Sequence, residues 1–149
     1  MSENTDAPEQ YTLTLSAQQA AVLQEALEVY ARLGMGQVDD ALRCLPAPAT
    51  VDICERAEVI REVERQLAPV MRGPDGRLPP TSQPSKSAWD LFQVVRHRIA
   101  WDHAYARGVL KPGEPRRWSE MFGCQYDEPL PSSGEPLARI APASLPAQD

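Results

Sequence analysis

Proline placement constrains this chain more than any other feature. Fifteen of its 149 residues are proline, roughly double the usual share of about 5%, yet none falls between residues 12 and 45 or between 85 and 111. Proline has no amide hydrogen to donate and its ring clashes with the preceding turn, so it ends or kinks helices. The spacing therefore predicts two long helical stretches joined by stiff connectors, which favours a folded helical protein over a disordered one. A chain of this length buries one core and not two. A single helical domain is expected over residues 11–140, flanked by a disordered N-terminus (1–10) and a flexible C-terminus (141–149).

Within that frame each segment carries its own signals. Residues 11–15, YTLTL, alternate apolar and polar and predict a short half-buried strand. Ser16 and Gln19 stand in the S-x-x-Q capping-box arrangement, in which each side chain satisfies an amide that the first turn leaves free. Beyond it Leu23, Leu27 and Tyr30 recur at helical spacing, and Ala20, Val22, Ala26, Val29 and Leu33 widen the apolar arc to about 200°. So wide an arc asks for cover on two sides, and a homo-oligomer is the expectation. Gly34 is expected to close this helix in the left-handed conformation, and residues 37–45 read as a short helix stopped by Pro46 and Pro48. Thr50 or Asp52 then caps a third helix to about Leu67. Ile53, Ala57, Ile60, Val63 and Leu67 are expected to face inward, with Glu58, Arg61, Glu62 and Arg65 in water. Residues 137–140 are expected to pair with 11–15. The fold class is thus mainly α (α+β): about four helices, with a minor two-stranded β element joining the N- and C-terminal regions.

Charge and cysteine usage exclude several function classes. The net charge is −6, whereas a general nucleic-acid binder needs a basic footprint to displace counterions. The sign is uneven along the chain: residues 1–70 hold 12 acids and 5 bases, and residues 86–118 hold 3 acids and 7 bases. That basic island either attracts an anionic partner or simply packs beside the acidic part. Cys44, Cys54 and Cys124 are widely spaced, with no C-x-x-C and no adjacent histidine, so free thiols are expected rather than a zinc site or disulfide framework. No stretch approaches a bilayer-spanning apolar run and no signal-peptide pattern opens the chain. A cytoplasmic location and no membrane contact are expected.

The stretch 85–108, SKSAWDLFQVVRHRIAWDHAYARG, holds two of the three tryptophans and both histidines. Ser85 or Ser87 is expected to cap it, with Asp90 in the first turn suiting the positive end of the helix dipole. Ala88, Leu91, Phe92, Val95 and Ile99 form the expected core stripe, widened by Val94, Trp101 and Tyr105. Arg98 and Asp102 interrupt that apolar side, four residues apart. A charge placed there must be paired or must line a cavity, because a lone ion in a dry core is costly. Either the two neutralise each other at a helix junction, or Arg98 faces a polar pocket and holds an anion while Asp102 orients it. His97 and His103 are six residues apart and point in directions too different to share a metal. Further on, Arg116, Arg117 and Trp118 resemble a small anion contact, and Asp127, Glu128 and Glu135 flank two turns that read as surface turns.

Three patches, RLGMGQ (32–37), AWDLFQVVRHRIAWD (88–102) and YDEPLPSSGEPL (126–137), look like a group of small uncharacterised accessory proteins of tailed phages and prophages. The resemblance covers about a third of the chain. The RRWSEMFGC segment before the third patch is longer than the group's usual link, so nothing is carried over there. The resemblance implies a phage accessory protein acting in the host cytoplasm and supplies no established activity. Joined to the basic island, it yields a non-enzymatic binder of a small anionic, nucleotide-like ligand that sequesters a host immune signal. The expected ligand contacts are Arg98, Asp102, Arg96, His97, Trp101, Arg32 and Gln37, with no metal and no cofactor. The alternative is a protein-interaction module that inhibits or redirects a host protein through an exposed helical surface. An enzyme would need His97 or His103 and a carboxylate assembled by the fold alone, and none is expected.

Overall fold

The structure, a computed structural model, describes residues 11–47, 50–109 and 128–140. It is mainly α, with four helices among the described residues: α1 (Ala17–Gly34), α2 (Val38–Cys44), α3 (Ile53–Met71) and α4 (Gln83–Ala106). The capping box forms at α1, where Gln19 N donates to Ser16 Oγ at 3.2 Å and Ser16 N to Gln19 Oε1 at 2.9 Å. Asp52 caps α3, accepting from Cys54 N at 2.8 Å and Glu55 N at 3.0 Å. Ser82, rather than Ser85 or Ser87, caps α4. The helix starts early because Pro84 falls in its first turn, where the missing amide would have had no partner.

Gly34 does not close α1 in the left-handed conformation as its position suggests. It is the last helical residue, and Gly36 (φ 76°) makes the left-handed turn, with Gly36 N donating to Leu33 O at 3.0 Å and Gln37 N to Arg32 O at 2.8 Å. What needs Gly34 to be glycine is proximity. A Cβ there would fall 2.6 Å from Ser85 Cβ, so the end of α1 rests on the start of α4. Arg32, two residues earlier in α1, lies over Trp89, four residues later in α4, so α1 and α4 run antiparallel. Their seam is the main packing of the molecule, with α2 folded back on α1 and α3 touching only α2 among the helices.

The core is thin. Ala31, Ala88, Phe92, Val95 and Ala104 fill the α1–α4 side, and Val38, Ala41 and Ile60 the α2–α3 side. Phe92 is the only large side chain among the described residues that is fully enclosed. Small residues let helix backbones approach closely but contribute little apolar area, so burial at about 25 cal/mol per Å² has few large contributors here. Leu91, expected in the stripe, is half-exposed, and Ile53, Val63 and Leu67, expected inside, are exposed as well, Ile53 at 83%.

The expected two-stranded element is not present among the described residues. Residues 11–15 and 137–140 form no strand, Tyr11 is 84% exposed, and Leu137 and Ile140 line a cleft with Val94 and Arg98 of α4. An extended segment is stable only where a neighbour takes its backbone groups, and the bonds that side chains of α4 make to this segment fall at residues 130–133. The expectations for 1–10 and 141–149, and those for Arg116, Arg117, Trp118, Cys124 and Asp127, lie outside the described residues. Cys44 and Cys54 are free thiols, and no described helix is long and apolar enough to cross a membrane.

Candidate functional site

Asp90 is the eighth residue of α4 and 5% exposed, too deep in the helix to act on its N-terminal dipole. Its carboxylate instead receives the turn at 132–133. Ser132 N donates to it at 2.8 Å and Ser132 Oγ at 2.6 Å, and Ser133 N at 2.9 Å and Ser133 Oγ at 2.6 Å. Burial alone would push the Asp90 carboxyl up, but these donors overcome it and hold its pKa below the ordinary aspartate range. Two side-chain amides of α4 flank this clasp, Gln83 donating to Ser133 O at 2.7 Å and Gln93 to Leu130 O at 3.2 Å. Residues 130–133 are thereby laid along α4 in the opposite direction.

Beyond the clasp the segment and α4 border an open cleft of about 340 Å³. Val94, Pro129, Leu137 and Ile140 make it apolar, and His97, Arg98 and Glu128 make it polar. Arg98 is held in place by Asp102, through Nε to Oδ2 at 3.0 Å and Nη2 to Oδ1. This side-on pair sits at the partly exposed margin of α4 rather than in a dry core, and it leaves Arg98 Nη1 unused by Asp102. Trp101 Nε1 donates to His97 Nε2 at 2.8 Å, and Trp101 in turn leans on Tyr105 with ring centroids 5.6 Å apart. The imidazole therefore has its Nε2 lone pair engaged by the indole.

Arg96, Arg32 and Gln37 belong to a different face. The Arg96 guanidinium lies 4.6 Å from the centroid of Phe92, Trp89 and Phe92 are 5.1 Å apart, and Arg32 lies 5.7 Å from Trp89. Two cations thus bracket two rings along the α1–α4 seam. Arg32 also bonds Glu28 at 2.8 Å, Gln37 at 3.1 Å and Asp40 at 3.2 Å, which ties α1, its closing turn and α2 together. Burial works against its charge, yet Glu28 and Asp40 outweigh burial and its pKa is raised. Arg96 is lowered by burial, with Glu28 opposing and Arg32 adding to the shift. Among the described residues it forms no ion pair. Phe92 is 1% exposed, so no ligand can stack on its ring.

The expected contacts therefore separate into two groups. Arg98, Asp102, His97 and Trp101 stand at or beside the cleft, while Arg96, Arg32 and Gln37 serve the helix seam. Comparison with known families, curated proteins and solved structures finds no match. A larger concavity of about 540 Å³ lies at Met71, Arg72, Gly73, Asp75, Leu78 and Pro80, within one connector, where Arg72 is spent on Gly76 O at 3.1 Å. No group of histidine, cysteine and carboxylate side chains among the described residues is arranged to hold a metal. Sequence reasoning takes Asp90 for a dipole-compensating residue and does not single out Ser132 or Ser133. The available signal was P-S-S-G at 131–134, two adjacent hydroxyls before a glycine that turns left-handed (φ 84°), a turn whose amides point together toward an anion.

Proposed function

We propose that the chain is a non-enzymatic binding protein whose cleft takes a small anion with an apolar body. The observation that carries this reading is Arg98: it lines the open cleft while Asp102 fixes its orientation and leaves an edge of the guanidinium over. A guanidinium locked by a second carboxylate loses little entropy on gripping a phosphate or carboxylate. A nucleotide would enter through its phosphate on Arg98 rather than through base stacking. The cleft lining is aliphatic, and the nearby rings already lean on one another. Sequestration of a host signal in an infected cell is the role that the resemblance to phage accessory proteins adds. Calorimetric titration with AMP and with hexyl phosphate tests the reading. A charge-assisted hydrogen bond contributes about 1.5–3 kcal/mol, so Arg98→Gln should weaken saturable binding by about 10- to 100-fold. Saturable binding of neither probe, or equal binding by Arg98→Gln and wild type, refutes it.

A second reading, a protein-interaction module, is favoured by α3. Ile60, Val63, Leu67 and Val70 follow the three-four spacing of a helix-pairing seam, yet Val70 is 82% exposed and no other described helix except α2 touches α3. The occupant first tested is a second copy of this chain, on α3 and not on the apolar arc of α1 from which the homo-oligomer is expected. Sedimentation should then show a concentration-dependent dimer that Leu67→Glu abolishes. A monomer at every concentration removes that occupant.

A further inference from the structure

The cleft has one wall on a helix and the other on residues 128–140, a segment with no regular secondary structure. We infer that Asp90 is the positioning residue for that second wall: its buried carboxylate grips the Ser132–Ser133 turn and so places Pro129 and Leu137 opposite Arg98. The inference deepens the cleft reading and, as far as ligand affinity goes, rests on it.

The argument begins with how the segment is held. Gln83 and Gln93 each contribute a single bond from an amide to a carbonyl, and such bonds form equally well at neighbouring carbonyls. Asp90 differs in kind. Two amides and two hydroxyls converge on one carboxylate at 2.6 to 2.9 Å, and no neighbouring residues in 128–140 repeat that set of donors. The clasp therefore selects one register, since a slip in either direction withdraws a hydroxyl and a slip that brings up Pro131 withdraws an amide as well. Asp90 makes no ion pair among the described residues, so these neutral donors supply its compensation. An unmatched carboxylate at this depth would be strongly penalised, so the turn and the aspartate hold each other in place. Pro129 lies three residues before Ser132 and Leu137 four after Ser133, close enough for the clasp to set where both fall against Val94 and Arg98.

Hydrogen exchange and titration of the full chain test this together. Asp90→Asn keeps the size of the side chain but offers an amide where four donors converge. The double variant Ser132→Ala, Ser133→Ala removes the hydroxyls from the surface segment and leaves the helices alone, which guards against a misfolded Asp90→Asn. In both, exchange protection across residues 129–140 should fall by about tenfold or more while α1 and α4 keep theirs, and hexyl phosphate should bind about fivefold or more weakly although Arg98 and Asp102 are intact. Unchanged protection in both variants overturns the inference. So does lost protection with hexyl phosphate bound as in wild type, provided Arg98→Gln does weaken it. The exchange measurement needs no ligand: if protection falls but wild type binds no probe, Asp90 stands as the anchor of the segment and the cleft reading alone fails.

Discussion

Gly34→Ala sets two effects of opposite sign against each other. In an unobstructed helix the change is favourable, because glycine costs about 0.8–1.0 kcal/mol relative to alanine. Here the new Cβ would lie 1.8 Å from Ser85 Oγ and 2.6 Å from Ser85 Cβ. The hydroxyl can rotate away, but Ser85 Cβ is fixed to the backbone of α4. An ordinary carbon contact is about 3.5–4.0 Å, so the two helices must part by about 1 Å at the seam that carries most of the packing. Overpacking of this kind costs about 1–3 kcal/mol. The net expectation is a loss of about 0–2 kcal/mol where propensity alone would give a gain. Urea unfolding followed by circular dichroism measures it, and Ser85 supplies the control. Ser85→Gly in the Gly34→Ala background removes the obstructing Cβ and should recover about 1–2 kcal/mol as a coupling energy, while Ser85→Ala should recover less because that Cβ remains. A Gly34→Ala protein more stable than wild type, with no coupling to Ser85→Gly, would show that the close approach does not govern this helix pair.

Phe92→Ala should cost about 3–5 kcal/mol, a large share for so thin a core, and should lower the urea midpoint more than any truncation on α3. Ser16→Ala removes the α1 capping box and should cost about 1 kcal/mol, read as earlier thermal loss of helicity. Asp90 gives the pH dependence. Its folded pKa is lowered, so its stabilising contribution is complete above its unfolded value of about 3.9 and is lost as pH falls through the lower folded value. Amide protection at Ser132 and Ser133 should therefore hold at about pH 5 and decline toward about pH 2; a profile that is flat over that range contradicts the clasp.

Much of the helical layout was legible because its signals are local. A capping serine three residues before a glutamine, an aspartate before an apolar period, and proline-free runs act within one or two turns, and α1 and α3 start where those signals place them, although α3 runs on through Pro69 to Met71. The proline rule even explains its own misreading at α4, whose start was placed too late because Pro84 was counted as a break rather than as a first-turn residue. The chemistry of Arg98 and Asp102 was also local, since four residues of helix bring them together whatever surrounds them.

What the tertiary structure alone decided is everything that depends on distant segments meeting. Residues 137–140 carry a plausible strand pattern, but nothing within them states whether residues 11–15 or α4 will lie alongside. Asp90 reads as a dipole-compensating residue until Ser132 and Ser133, more than forty positions away, close on it. Arg96 and Arg98 stand two residues apart and look like one basic patch, yet the helix turns about 200° between them. One therefore covers Phe92 in the α1–α4 seam while the other lines the cleft. Helical periodicity specifies which residues share a face; only the packing of the other elements determines what that face meets.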